Sequence, residues 1–231
     1  MRAYGLAAGL LLLAASTAAH DVITTPITFS REISRLFYRR CVSCHREGGS
    51  AFSLATYEQA RPWAMAIKEE VLSRRMPPWG AVKGFAGYRG DQSLTQEQIE
   101  VIADWVEGGA PGGDEKLLPK LPDFAPPVPE PMPAGITVEG SAALASAVTL
   151  AGIRAGAVSE GATLMVTATR PDGGIEPLLW LYDFKSRFAR TYWFSSALRL
   201  PKGTTVQIAP AHAGSIVLIT GKTTPATKPR D

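Results

Sequence analysis

The chain has 231 residues, 24 Lys and Arg against 21 Asp and Glu, a formal net charge of +3 and a hydrophobic fraction of 45%. This is an ordinary globular balance, with room for one large domain or two small ones. The charge is small and no basic run alternates with aromatics, so a nucleic-acid partner is not expected. The 2 cysteines and 3 histidines leave few groups for metal or thiol chemistry.

The N-terminus carries Arg2, an apolar stretch from Leu6 to Ala15 and then small residues. This pattern reads as a secretory signal peptide over residues 1–19, cut after Ala19, and is too short to span a membrane. No cysteine follows it to anchor a lipid. The expected mature protein is exported, periplasmic and soluble.

Phe29, Ile33, Leu36 and Phe37 recur at helical spacing over residues 28–40, with Ser30 as the expected N-cap. Thr56-Tyr-Glu-Gln59 and Thr95-Gln-Glu-Gln98 fit capping boxes, each opening a helix. The first continues through Pro62 with Ala64, Ile67, Val71 and Leu72 on one stripe, until Pro77 and Pro78 stop it. The second carries Ile99, Ile102 and Val106 and ends at Gly108-Gly109. Residues 80–90 are rich in glycine and read as loop. Residues 28–110 are thus expected to form an all-α domain.

Seven prolines among positions 119–133 mark residues 111–135 as an extended linker. Residues 136–221 turn to Thr, Val, Ile and Leu in short runs, with a turn signal at Pro171-Asp-Gly-Gly174. That spacing predicts a small all-β, antiparallel sandwich-like domain. The tail, 222–231, reads as disordered.

Cys41-Val-Ser-Cys44-His45 contains both cysteines. Export favours a disulfide in general, but a bridge enclosing two residues is normally a redox centre on a thioredoxin-like βαβ unit, and none is visible. Tetrahedral zinc needs about four ligands, whereas only Cys41, Cys44 and His45 lie together. Covalent haem attachment has a direct physical reason. Cysteines at i and i+3 lie on one face of a helical turn and can bond two vinyl groups of one porphyrin, and the adjacent His45 supplies an axial imidazole. One covalent haem c is therefore expected.

Met76 stands where a helix meets two prolines, a rigid setting for a thioether on the other axial position. Met65 lies inside a helix at a spacing that also fits core packing, Met132 in the linker and Met165 in the β region. A loop methionine capping the core is the other reading of Met76. Trp79 and Arg75 are candidate propionate contacts, as is Arg74. Phe52, Tyr57, Trp63 and Trp105 are either haem-facing or ordinary core.

Helix, CxxCH, further helices, the MPP segment and a last helix with Trp105 occur in an order that resembles class I cytochromes c. The resemblance implies an all-α cytochrome c-like domain and a His45/Met76-ligated haem that transfers single electrons, with no open iron position for substrate. The layout also resembles a narrower bacterial group. In it, a cytochrome c domain with such CVSCHR and MPPW motifs precedes a copper monooxygenase-like β-sandwich of the peptidylglycine-hydroxylating type. Copper sites of that kind use a His-x-His pair, but the corresponding LMVTATRPDGG lacks histidine, and only His212 and Met165 remain. Copper is not expected, and the β domain reads as a docking or structural module. A mature N-terminal His20 acting with His212 is the alternative copper pair. The expected function is an exported electron carrier meeting redox partner proteins, not an enzyme. The alternatives are the electron-input component of a copper monooxygenase-like oxidoreductase, a peroxidase if Met76 dissociates, and a binding module.

Overall fold

The computed structural model describes residues 26–124 and 134–221. The expected signal peptide and its expected cut after Ala19, His20, Met132, most of the proline-dense stretch and the tail lie outside them.

The chain enters through a π-helical turn, Phe29–Ile33, which runs directly into α1 (Ser34–Arg40). Thr28, not Ser30, is the N-cap. Its backbone is extended and its side chain accepts from the N–H of Arg31, whereas Ser30 is already helical and buried. Both capping boxes form. The Thr56–Gln59 box opens α2 (Tyr57–Ala60), which passes through a 3-10 turn at Arg61–Trp63 into α3 (Ala64–Leu72). The Thr95–Gln98 box opens α4 (Gln96–Glu107). Phe29, Ile33, Phe37, Ile102 and Trp105 form the centre of a helical core. Leu72 lies outside it, exposed at the end of α3.

The rest is β: β1 (Gly135–Glu139), β2 (Ser141–Ala143), β3 (Val148–Val158), β4 (Leu164–Thr169), β5 (Ile175–Leu181), β6 (Thr191–Leu200), β7 (Thr205–Ala209) and β8 (Gly214–Thr220). They form two four-stranded antiparallel sheets, ordered β1-β8-β3-β6 and β2-β7-β4-β5. This eight-strand, two-sheet order is that of a jelly roll. Alternation sets the inner faces. Leu164, Val166 and Ala168 of β4 and Val206 and Ile208 of β7 meet Leu150, Ile153, Ile216 and Leu218 of the other sheet in one shared core.

The expected fold class, an all-α cytochrome c-like domain followed by a small all-β domain, is corrected here. The chain is mostly β, its helices are few, and the segment after α3 belongs to the sheets rather than to a helical unit. Trp79, Ala81 and Tyr88 are buried in the jelly-roll core. Gly80 to Val82 runs along β5, bridging Ala81 to Leu181, with Val82 N–H donating to Trp180 and Tyr182 N–H to Gly80. Gly87 to Arg89 runs along β6, bridging Tyr88 to Phe194. β5 and β6 are the end strands of their sheets. An end strand presents unpaired backbone groups that favour a partner, and this segment supplies one to both. The loop expected over residues 80–90 is therefore the seam between helices and sheets.

Candidate haem-attachment site

The α1 helix ends by delivering its C-cap, Cys41, whose N–H donates to Phe37 O at 2.8 Å. One further turn follows: the N–H groups of Cys44 and His45 both donate to Cys41 O, at 3.1 and 2.9 Å. This turn holds the two cysteines and the histidine on consecutive steps of one helical path. The chain then folds back, with Ala51 N–H donating to Cys44 O and Leu54 N–H to His45 O. The reversal needs Gly49, because a Cβ there would lie 2.3 Å from Cys44 O.

His45 Nδ1 stands 2.9 Å from the carbonyl oxygen of Phe52. A carbonyl only accepts, so Nδ1 carries the proton of this bond, and in the neutral imidazole Nε2 then keeps the lone pair. This is how a metal-binding imidazole is usually oriented. The Phe52 ring packs edge-on to His45 at 4.9 Å and continues to Trp63 at 4.5 Å. Phe52 and Trp63 are 49% and 46% exposed, an apolar pair left open beside the imidazole. Tyr57 and Trp105 go elsewhere. Both lie in the helical core against Phe29, their polar atoms donating to Ala110 O and Pro111 O.

Both cysteines are free, Cys44 exposed and Cys41 partly so. Burial of its sulfur pushes the Cys41 thiol up to about 12, with Arg40 pulling weakly the other way. Among the described residues no three His, Cys, Asp or Glu side chains are grouped so as to hold a metal ion. Two thiols and an imidazole on one turn are the groups that a covalently attached haem would use.

Met76 follows the end of α3, its N–H donating to Glu70 O. It lines two clefts of about 300 and 530 Å³ that share Arg74, Met76, Trp79, Gly80 and Tyr182, and Cys41, Cys44 and His45 line neither. Arg75 is engaged by Glu70 through two bonds of 3.0 and 2.8 Å, which lower the Glu70 pKa. Arg74, in a left-handed conformation with φ 56°, donates to Gln96. Trp79 is buried against Tyr192 and Tyr88, with the Arg190 guanidinium over its ring. Arg40, next to Cys41, donates to Asp91 O at 2.5 Å, and Asp91 in turn holds Lys83 and Ser93 on the wall of the larger cleft. Met65 is exposed on α3. Met165 faces outward on β4 opposite Trp180, and His212 lies in the exposed turn Ala211–Ala213.

Sequence reasoning missed Tyr182, Arg190 and Tyr192, which reach the MPPW segment from more than 100 positions away in the chain. No local signal marks them.

The chain matches no protein-family model, no curated protein and no solved structure. No helix among the described residues is long and apolar enough to cross a membrane.

Proposed function

We propose that this chain is an exported c-type haem protein that carries single electrons between partner proteins. Cys41 and Cys44 would hold one haem through thioethers, and His45 Nε2 and the Met76 sulfur would be the side chains that hold its iron. The observation that carries the proposal is the His45 Nδ1 bond to Phe52 O beside two free thiols on one helical turn. Haem, when bound, supplies a one-electron iron couple, and a thioether ligand favours a high potential.

The chain's own residues supply the rest. Phe52 O orients the His45 ring, and Phe52 with Trp63 offers an exposed apolar surface beside the imidazole that a haem face would cover. An imidazole and a thioether together would leave iron to exchange electrons rather than to bind substrate, which favours transfer over catalysis. The signal-peptide pattern of residues 1–19 supports export to a compartment where such attachment takes place.

The test is the mature protein isolated from a periplasm competent in haem attachment. Mass under denaturing conditions should exceed the polypeptide by one haem, and the reduced spectrum should show a low-spin c-type band. Cys41→Ser with Cys44→Ser should abolish the covalent adduct, and Met76→Ala should remove the weak Met-to-iron band. A chain exported without covalent haem refutes the proposal.

A further inference from the structure

Met76 is pinned on both sides by groups outside its own segment. On the α3 side its N–H donates to Glu70 O at 3.2 Å. On the other side the grips come from the jelly roll. Arg190 donates to Pro78 O at 3.2 Å and lies 5.2 Å above the Trp79 ring. The Tyr192 hydroxyl donates to Trp79 O at 2.6 Å, and Tyr182 N–H to Gly80 O at 3.0 Å. Gly80 takes φ +79°, and a Cβ there would lie 2.9 Å from the Tyr192 hydroxyl, so the backbone passes directly under that tyrosine. Between the two anchors stand Pro77 and Pro78, whose rings fix φ and leave little slack.

We infer that the β5–β6 side of the jelly roll is a clamp for the Met76 segment, with Arg190 and Tyr192 as positioning residues for the Met76 thioether. The inference rests on the haem reading above and gives the β region a role within the redox site. A thioether is a weak, neutral ligand, so its hold on iron depends on how narrowly its backbone is confined. Two prolines stiffen the segment but do not place it. The contacts from Arg190, Tyr192 and Tyr182 do, and they act two to four residues from the sulfur.

The experiment uses the full holo protein with Tyr192→Phe, Arg190→Ala and Arg190→Lys, and with Tyr88→Phe as a control. Tyr88 packs its ring on Trp79 and Tyr192, a contact that phenylalanine keeps, and the hydroxyl that is lost bonds Leu178 O and none of residues 76–80. Three readouts apply: covalent haem by mass, the Met-to-iron band of the oxidised protein, and the midpoint potential. The expected result is full haem attachment in every variant. Tyr192→Phe and Arg190→Ala should weaken the band and lower the potential, Arg190→Lys should fall between, and Tyr88→Phe should match the wild type. The clamp is overturned if haem is attached but band and potential stay unchanged in Tyr192→Phe and Arg190→Ala. It is equally overturned if Tyr88→Phe shifts them as much. Wild-type protein without covalent haem removes the underlying reading instead, and the mass measurement separates that case.

Discussion

The Tyr88 hydroxyl donates to Leu178 O at 2.7 Å inside the jelly-roll core, joining positions 90 apart in the chain. Its ring stacks on Phe194 at 5.8 Å and tilts against Tyr192 at 5.4 Å. Tyr88 comes from the segment between α3 and α4, so the two parts of the fold share a buried bond. Removing the hydroxyl leaves a buried carbonyl without its donor, at about 1–3 kcal/mol. Removing the ring adds a cavity, for a total of about 3–5 kcal/mol. Urea titration should show Tyr88→Phe and Tyr88→Ala lowering the midpoint in that order. Far-UV and tryptophan signals should move together, because helices and sheets are sewn along one seam.

Single elements of this architecture were legible in the sequence, but the fold class and the part that joins helices to sheets were not. Capping boxes are local, and Thr56–Gln59 and Thr95–Gln98 close as their spacing predicts. Strands such as β4 announce themselves by alternation, and the Pro171–Gly174 turn follows from its residues. The seam at residues 79–89 could not be read that way. Its partners lie on β5 and β6, about 100 positions on, it makes only isolated bridges, and its glycines imitate a loop. The candidate site divides along the same line. His45, Cys41 and Cys44 sit together because one turn dictates it. Arg75 and Trp79 neighbour Met76 in sequence, but Glu70 and the jelly-roll core engage them.

Alkaline conditions should loosen the seam. Burial pushes the Tyr192 hydroxyl up to about 12, and burial raises Tyr88 as well. A group whose pKa is higher in the folded state stabilises that state fully below its unfolded value, about 10 for tyrosine. The contribution falls away as pH rises through the folded value. Stability should therefore hold to about pH 10 and decline toward about pH 12. Tyr192→Phe should lessen that decline, since one late-titrating phenol is gone. Urea midpoints across this range, with tyrosinate absorbance at each pH, check it.

Acid acts at the other end of the seam, on Asp91. Burial raises its pKa, but hydrogen bonds from Lys83 and Ser93 outweigh this and hold the carboxyl below its usual range. A depressed folded pKa stabilises above the unfolded value, about 4, and the effect is lost as pH falls through the folded one. Asp91→Asn keeps the size but loses the charge, so it should cost about 1–2 kcal/mol at neutral pH. It should also flatten the acid limb of the stability profile below about pH 4. Because Arg40 donates to the Asp91 carbonyl beside Cys41, proteolysis near the cysteine turn should rise in the same variant.

The aromatic residues offer a sharper separation of site from core. Trp105 is fully buried, packs on Phe29 and Phe37, and donates to Pro111 O. Trp105→Ala should cost about 3–5 kcal/mol by the cavity it leaves, in the haem-free chain as much as in the loaded one. Trp63 is nearly half exposed and rests mainly on Phe52. An exposed aromatic pair is worth about 0.5–1.5 kcal/mol, so Trp63→Ala should barely move the haem-free midpoint. If Phe52 and Trp63 wall a haem, the same substitution should cost clearly more once haem is attached, because the apolar surface it deletes is then covered. Thermal unfolding of both variants, with and without haem, reads the difference. An equal cost for Trp63→Ala in the two forms would remove that wall from the site.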